Sequence, residues 1–464
     1  MIENDTIAAI ATPPGVGGVG IIRLSGPASI ESVNSLFRGK NWPLSKNNSN
    51  RIVYGHIVSG DEIVDEVLVS VFCAPHSYTA EDVVEINCHG GMFVLKKVLA
   101  LLVSEGVRPA DPGEFTKRAF LNGRMDLSQA ESVMDLISAD SDFALKNSVS
   151  VLSGGLRDRF SFFREKILKE TAFIESSLDD PEHFSLDGYP EHLLSVIHPI
   201  LSELASYSEH FDQGQLFKKG ISTVIAGKPN VGKSSLMNLL LHRDRAIVTD
   251  IPGTTRDVIE ESVTVGDLVL RISDTAGIRE TSDAVEKIGV SRSLDGIKNA
   301  ELVLLVLDLT RPLDEEDRSI LSVCKDKDHV IVLFNKSDAS SDPMLEQTWR
   351  NTIVSYLPKA GIVLFSAKTG EGLDQLTSKI TDLFFEKGFS SSDELFLSNL
   401  RQKYLVDEAI VSLKQVVSSI SDSLPEDFYT IDLTDAYVSL GKILGEEVED
   451  DLIEKIFSEF CVGK

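Results

Sequence analysis

Residues 227 to 234 read Gly-Lys-Pro-Asn-Val-Gly-Lys-Ser, the pattern G-x-x-x-x-G-K-[ST], set between a β-branched apolar run and a helix-forming one. Ile221 to Ala226 suits a buried strand, and Ser235-Leu236-Met237-Asn238-Leu239-Leu240-Leu241 contains no helix breaker. The chain must turn sharply between them. Backbone N–H groups near Gly232 then face a phosphate, and the helix N-terminus adds positive potential. In such a cradle of Asn230, Val231, Gly232 and Ser235, Lys233 neutralises the β/γ-phosphates and Ser234 ligates Mg²⁺. The alternative is a glycine-rich turn that only happens to fit the pattern; the strand before it and the helix after it argue for the nucleotide.

The base is read further along. Asn335-Lys336-Ser337-Asp338 follows the apolar run Val330 to Phe334, giving N-K-x-D at the carboxyl end of a predicted strand. The Asp338 carboxylate accepts from guanine N1–H and the 2-amino group, donors that adenine lacks. A buried acceptor left unpaired is penalised, so selection works by cost as well as attraction. Ser366-Ala367-Lys368, after the strand-like Ile362 to Phe365, fits a second base-contacting loop. Between phosphate and base loops lie Thr249-Asp250-Ile251-Pro252-Gly253-Thr254-Thr255 and Asp274-Thr275-Ala276-Gly277. The first is a polar loop able to bring a threonine hydroxyl to the metal. The second supplies an aspartate for the Mg²⁺ shell and a glycine N–H for the γ-phosphate. Together they are the switch segments of a GTPase.

Two catalytic parts are absent by inspection. Ile278 follows Gly277, and an aliphatic side chain cannot orient water; Glu280, Asp283 and Glu286 are the nearby carboxylates, either catalytic or a solvated acidic face. No arginine finger is evident, and the Asn230 side-chain oxygen can hold a monovalent cation where that charge would act.

At 464 residues the chain exceeds one ordinary core, and several domains are expected. The expected organisation is an α+β domain over 1–118, a helical domain over 119–217 and 388–464, and an α/β P-loop domain over 218–387 inserted between the helical parts. Strands are predicted at Ile221 to Ala226, Leu268 to Ile272, Leu302 to Asp308, Val330 to Phe334 and Ile362 to Phe365, and in the first domain at Arg51 to Val58 and Ile63 to Phe72 beside a helical Val94 to Val103. Helical stripes recur at Leu127, Ala130, Val133, Met134 and Ile137, at Val406, Ile410, Leu413, Val417 and Ile420, and at Leu433, Ala436, Leu440 and Ile443. A last stripe is Leu452, Ile456 and Phe460, and all of these are read as core. Gly15-Val16-Gly17-Gly18-Val19-Gly20 spells a dinucleotide fingerprint, but it follows two prolines and leads into the strand-like Ile21-Ile22-Arg23-Leu24, so that reading is rejected.

The net charge of −27 argues against nonspecific nucleic-acid coating. Candidate local basic patches are Lys117-Arg118 with Arg124, and Arg157 and Arg159 near Arg164 and Lys166, with ordinary surface charge as the competing reading. Cys73, Cys88, Cys324 and Cys461 are scattered, which argues for a reducing, cytoplasmic setting without a disulfide framework. No stretch approaches the ~20 apolar residues of a membrane span, and the N-terminus lacks a secretory pattern.

The chain resembles the MnmE (TrmE) family of tRNA-modification GTPases along nearly its whole length. The resemblance is carried by Asn4-Asp5-Thr6-Ile7 with Ala11-Thr12-Pro13-Pro14-Gly15, Pro112-Gly113-Glu114-Phe115 with Arg118-Ala119-Phe120-Leu121-Asn122-Gly123, the GTPase motifs, and Phe460-Cys461-Val462-Gly463-Lys464. It implies K⁺-dependent GTP hydrolysis by G domains that pair across a homodimer. By motif, Asn230, Thr249, Ile251 and Thr254 surround K⁺, Ser234 and Thr255 bind Mg²⁺, and Glu286 becomes the favoured water-orienting carboxylate. It further implies 5-formyl- or 5,10-methylene-tetrahydrofolate binding by Arg23, Glu85, Arg124 and Lys464. The implied reaction installs an aminomethyl or carboxymethylaminomethyl group on C5 of wobble uridine 34 of certain tRNAs, with an FAD-dependent partner (MnmG, also called GidA) in a hetero-oligomer. Cys461 has two readings, a packed small side chain or a participant near the one-carbon chemistry. A regulatory or ribosome-assembly GTPase is the alternative function, because the G-domain motifs alone serve both.

Overall fold

The computed structural model describes residues 5–40, 42–180, 183, 186–243, 260–266, 268–273, 296–339, 342–384 and 395–464. The first domain is a seven-stranded sheet in the order β3-β4-β5-β6-β2-β1-β7. Its strands are β1 (Ile7–Ile10), β2 (Val19–Ser25), β3 (Phe37–Gly39), β4 (Arg51–Ser59), β5 (Glu62–Phe72), β6 (Val83–His89) and β7 (Arg108–Pro109). Helices α1 (Ser29–Leu36) and α2 (Met92–Ser104) cover one face, where Val33, Leu95, Val98 and Leu102 meet Val53, Val67, Val69 and Val71. Alternation along the strands leaves the opposite face to Tyr54, Leu68, Glu85 and Arg23, none of them fully buried. The rejected glycine run leads into β2, with no helix after it.

Next come α3 (Glu114–Leu121), α4 (Leu127–Ile137), α5 (Asp142–Leu152), α6 (Gly155–Asp179), α7 (Tyr189–Glu209) and α8 (Phe211–Lys219). Arg118 of α3 ties this part to the first domain: its guanidinium bonds Asp5 at 2.5 Å and Glu114 at 3.0 Å, and reaches Glu81 at 3.4 Å. It is buried, and Arg164 is likewise buried against Glu446, so neither belongs to a solvent-facing basic patch. Each pays its desolvation through carboxylates close at hand.

The inserted domain is a six-stranded sheet in the order β13-β12-β11-β8-β10-β9. Here β8 (Ile221–Ala226), β10 (Leu268–Ser273), β11 (Leu302–Asp308), β12 (Val330–Asn335) and β13 (Gly361–Leu364) run parallel, and β9 (Glu260–Val265) is an antiparallel edge. Helices α9 (Lys233–Arg243) and α12 (Leu373–Phe384) pack on one face, α10 (Glu315–Val323) and α11 (Pro343–Tyr356) on the other. Both faces being covered explains the unbroken apolar runs of β11 and β12, whose residues are all buried. The chain leaves β8 toward β10 on one side and returns to β11 on the other. The crevice at the carboxyl end of β8 is therefore the switch point of the sheet, where ligands of such folds bind.

After the insertion, α13 (Leu400–Ser421), α14 (Asp427–Leu444) and α15 (Asp450–Ser458) complete the helical part. Phe160, Phe163 and Ile167 of α6 share one core with Leu413 of α13 and Leu433 and Leu440 of α14, so segments on either side of the insertion fold as one body. The last helix departs from the expected stripe. Leu452 is exposed, Ile453 and Phe457 are the core positions, and Phe460 is buried just beyond the helix end.

Candidate functional site

The phosphate loop leaves β8 and enters α9, whose first intrahelical bond runs from Leu236 N to Gly232 O at 2.9 Å. Gly232 has φ +108°, and a Cβ there would lie 2.1 Å from Asn335 Nδ2. Only glycine suits that backbone and that close approach. Lys233 Nζ donates to the carbonyls of Gly227 and Lys228 at 2.8 and 2.7 Å, holding the ammonium across the loop. Burial lowers its pKa, so a phosphate anion would replace lost hydration with charge. Asn230 and Ser234 are exposed on this loop, Asn230 at φ +63°. On the same loop, the Lys228 ammonium pairs with Asp314 at 2.5 Å and with Glu316 at 2.9 Å; Lys228, then the Asp317 N–H and the Arg311 charge, hold the Asp314 carboxyl down to about 2.

Asn335 joins this loop to the base loop. Its Nδ2 donates to Val231 O at 2.6 Å, and its Oδ1 accepts from Ala367 N at 2.9 Å. Ser366 Oγ donates to Asp338 Oδ1 at 2.7 Å, fixing an otherwise exposed carboxylate. Lys336, at φ +64°, reaches Asp308 Oδ2 at 2.6 Å, and Lys368 is exposed beside them. The sequence-selected residues Val231, Gly232, Lys233, Asn335, Lys336, Asp338, Ser366 and Ala367 are thus brought into one crevice. The residues 249–255 and 274–277, together with Glu286, lie outside the described residues.

A second cluster forms where the first domain meets the chain's last residues. Arg23 donates through Nε to Glu85 Oε1 at 2.9 Å, a pairing of neighbouring strands set by the Arg23↔Glu85 register of β2 and β6. The Arg23 guanidinium lies 5.1 Å from the Tyr78 ring centroid and that of Arg124 lies 5.0 Å from it, so one ring is shared by two cations. Tyr78, whose hydroxyl is 2.9 Å from Thr116 Oγ1, was not picked out from sequence, because nothing local to its loop marks it. The segment 461–464 is seated by main-chain bonds, Gly113 N to Cys461 O at 3.3 Å and Phe115 N to Lys464 O at 3.1 Å. Burial, and then the Arg23 charge, push the Lys464 ammonium below its ordinary pKa. Lys464, Tyr78 and Arg124 line a cavity of about 330 Å³ with Met125, Val133 and Leu136. Cys461 is exposed, so it is not a packed core side chain, while burial pushes the Cys88 thiol up to about 12 and Cys324 up to about 11.

Two family models together match nearly the whole chain. The GTP-binding protein TrmE N-terminus model matches residues 6–124, and the MnmE helical domain model matches residues 127–461. The tRNA modification GTPase MnmE of Lachnoclostridium phytofermentans is 47% identical over 465 residues, covering 100% of each chain. That of Acetivibrio thermocellus is 46% identical over 467 residues, again covering 100% of each, and that of Enterococcus faecalis is 46% identical over 468 residues, covering 100% of this chain and 99% of its own. No helix among the described residues is long and apolar enough to cross a membrane. With the 227–234 loop strapped to the Asn335–Asp338 loop and relatives aligned end to end, the chain belongs to the MnmE family of tRNA modification GTPases.

Proposed function

We propose that this GTPase hydrolyses GTP in a K⁺-dependent manner and, with an FAD-dependent partner, modifies C5 of wobble uridine 34 of certain tRNAs with a tetrahydrofolate-borne one-carbon unit. The observation that carries the nucleotide half is the Asn335 side chain, which bonds the phosphate loop at Val231 and the base loop at Ala367. Two loops locked at one spacing suit a ligand with a purine at one end and phosphates at the other. Guanine is selected by the Asp338 carboxylate, pre-set by Ser366.

Carried over from the family's motifs, Lys233 would neutralise the β/γ-phosphates, Ser234 and Thr255 would hold Mg²⁺, and Glu286 would orient the attacking water. Ser234 offers a hydroxyl oxygen on the first turn of α9, a donor that suits a hard divalent ion. Asn230 offers an amide oxygen on the exposed loop, a donor that suits K⁺, and by the family's motif Thr249, Ile251 and Thr254 would complete that site. Hydrolysis drives pairing and release of G domains in a homodimer, and those movements rearrange the helical domain.

A reduced folate fits the second cluster on two grounds. The Tyr78 ring and the apolar wall of Val133 and Leu136 accept an aromatic body, and Arg124 and Lys464 accept carboxylates. Arg23 and Glu85 present a fixed donor and acceptor pair beside it. When bound, the folate supplies the one-carbon unit. Cys461, exposed on the segment that ends in Lys464, is assigned a part near that chemistry.

Calorimetry of the intact chain with Mg²⁺ and K⁺ tests the proposal: heat with GTP and, separately, with 5-formyl-tetrahydrofolate is expected. Absence of the first removes the GTPase reading of the crevice; absence of the second alone favours a regulatory GTPase. Glu286→Ala is expected to keep GTP binding and abolish turnover, and Na⁺ in place of K⁺ to slow it. Unchanged rates would reject those two roles. Cys461→Ser is expected to fold normally and lose tRNA modification; normal modification would reject a chemical role.

A further inference from the structure

Three of the residues in the base loop are fixed by a partner. Asn335 is held by Val231 O and Ala367 N, Asp338 by Ser366, and Lys336 by Asp308. The first two sets of partners lie in motifs read from the sequence. Asp308 does not: it ends β11, in register with Asn335 at the end of β12.

The carboxylate of Asp308 is built to hold a cation in one place. It is 7% exposed, and its Oδ1 accepts both the N–H and the hydroxyl of Thr310, at 3.0 and 2.6 Å. That leaves Oδ2 for Lys336 Nζ at 2.6 Å. The main chain repeats the link, Leu309 N donating to Asn335 O at 3.0 Å. Lys336 itself sits in the left-handed region that only a minority of non-glycine residues adopt. Its ammonium anchored on β11 and its backbone on the turn after β12, the methylene stem is stretched over the carboxyl ends of two neighbouring strands. Such a stem is an apolar surface beside a charged head. It lies two residues from the carboxylate that reads the base.

We propose that Asp308 is a positioning residue for guanine-nucleotide binding, acting through Lys336. It holds the lysine stem in the conformation the base meets, so that binding does not have to order a long, rotamer-rich side chain. The inference rests on the reading of residues 335–338 as the guanine-binding loop.

The test is Asp308→Asn in the full chain, which keeps an oxygen for Thr310 and removes the charge facing Lys336. GDP and GTP are expected to bind about tenfold more weakly by calorimetry, with KM raised by the same factor and kcat within about twofold, the signature of lost uniform binding. Lys336→Met is expected to show a similar loss, and Asp308→Asn is expected to add nothing in the Lys336→Met background. Affinity within twofold of the parent chain in Asp308→Asn overturns the proposal. So does a full tenfold loss from Asp308→Asn when Lys336 is already Met, because Asp308 would then act by another route. If Asp308→Asn does not fold, Lys336→Met carries the test, and unchanged GDP affinity in it is equally fatal. Asp338→Ala separates the layers: retained guanine binding there removes the underlying reading, whereas its loss alongside an indifferent Asp308→Asn removes only this inference.

Discussion

The two candidate binding clusters of this molecule are made in opposite ways. The crevice at the end of β8 is made from main chain: one loop of consecutive residues, a helix N-terminus, and one amide side chain that spans to the next loop. The cluster at the end of the chain is made from side chains at positions 23, 78, 85, 124 and 464, which meet only because β2, β6, α3 and the last segment pack together. A backbone site is damaged by adding atoms where the chain has none to spare, and its side chains contribute charge at few points. A side-chain site is damaged by losing the seat that brings its cations together. In a chain of net charge −27, both clusters gather local positive charge that the composition as a whole does not suggest.

The largest effect should come from Gly232→Ala. The new Cβ would meet Asn335 Nδ2 at 2.1 Å on a backbone at φ +108°, so the strap between the two loops must open. We expect guanine-nucleotide affinity to fall about a thousandfold, or about 4 kcal/mol, with reduced-folate binding unchanged. Near-normal GTP affinity by calorimetry would show that the crevice tolerates what its geometry forbids. The matching test on the other side is Gly463→Ala, at φ +92° with its Cβ 2.5 Å from Ile10 O. Displacing that seat withdraws Lys464 from the cavity, and 5-formyl-tetrahydrofolate should bind about a hundredfold more weakly, or about 2.7 kcal/mol, while GTP turnover stays within about twofold. Folate affinity that survives intact would detach the C-terminal segment from the site.

The same contrast decides what could be read from sequence. The strands Ile221–Ala226 and Leu302–Asp308 match their expected limits because each is a continuous apolar run, and the helix Leu127–Ile137 spans the expected stripe and starts on the Asp126 cap. The edge strand Glu260–Val265 was not expected. It opens on two glutamates and, among its described side chains, buries only the alternating Val263 and Val265, and its pairing with β10 supplies the rest. The central strand Val83–His89 was missed for a related reason, since Glu85 and Asn87 interrupt its apolar run on the open face. Residues 227–234 and 335–338 were legible as motifs. Tyr78 and Asp308 were not, because each owes its place to partners distant in the chain: Arg124 for one, Lys336 for the other.

Tyr78→Leu sharpens the side-chain half further. It keeps apolar bulk and removes the ring that two guanidinium groups face, so the loss should be that of a partly desolvated cation–π contact, about threefold to tenfold in folate affinity. Titration of the purified variant settles it, and an unchanged affinity would reduce the ring to packing.

The smallest effect is expected where the two halves are joined. Lys218, on the helix that enters the inserted domain, bonds Asp135 at 2.6 Å and the carbonyl of Ser398, on the segment that leaves it, at 2.9 Å. Asn147 holds the same exit segment, its Oδ1 accepting from Phe396 N at 3.1 Å. Burial raises the pKa of Asp135, and Lys218 opposes that rise without cancelling it. The folded chain therefore holds this proton more tightly than the unfolded chain does. Stability due to Asp135 is intact below the ordinary carboxylate range and falls as pH climbs toward the raised value. Removing Lys218 raises that value further, so Lys218→Met should destabilise the chain at neutral pH and cost little below about pH 4. Lys218 is a third exposed, which discounts the pair, and a loss of about 1 kcal/mol is expected by denaturant titration. Both ligands should bind Lys218→Met as they bind the parent chain, since the clasp touches neither cluster. A penalty that is equal at both pH values would mean that the lysine stem, and not its charge on Asp135, holds the entry and exit of the inserted domain together.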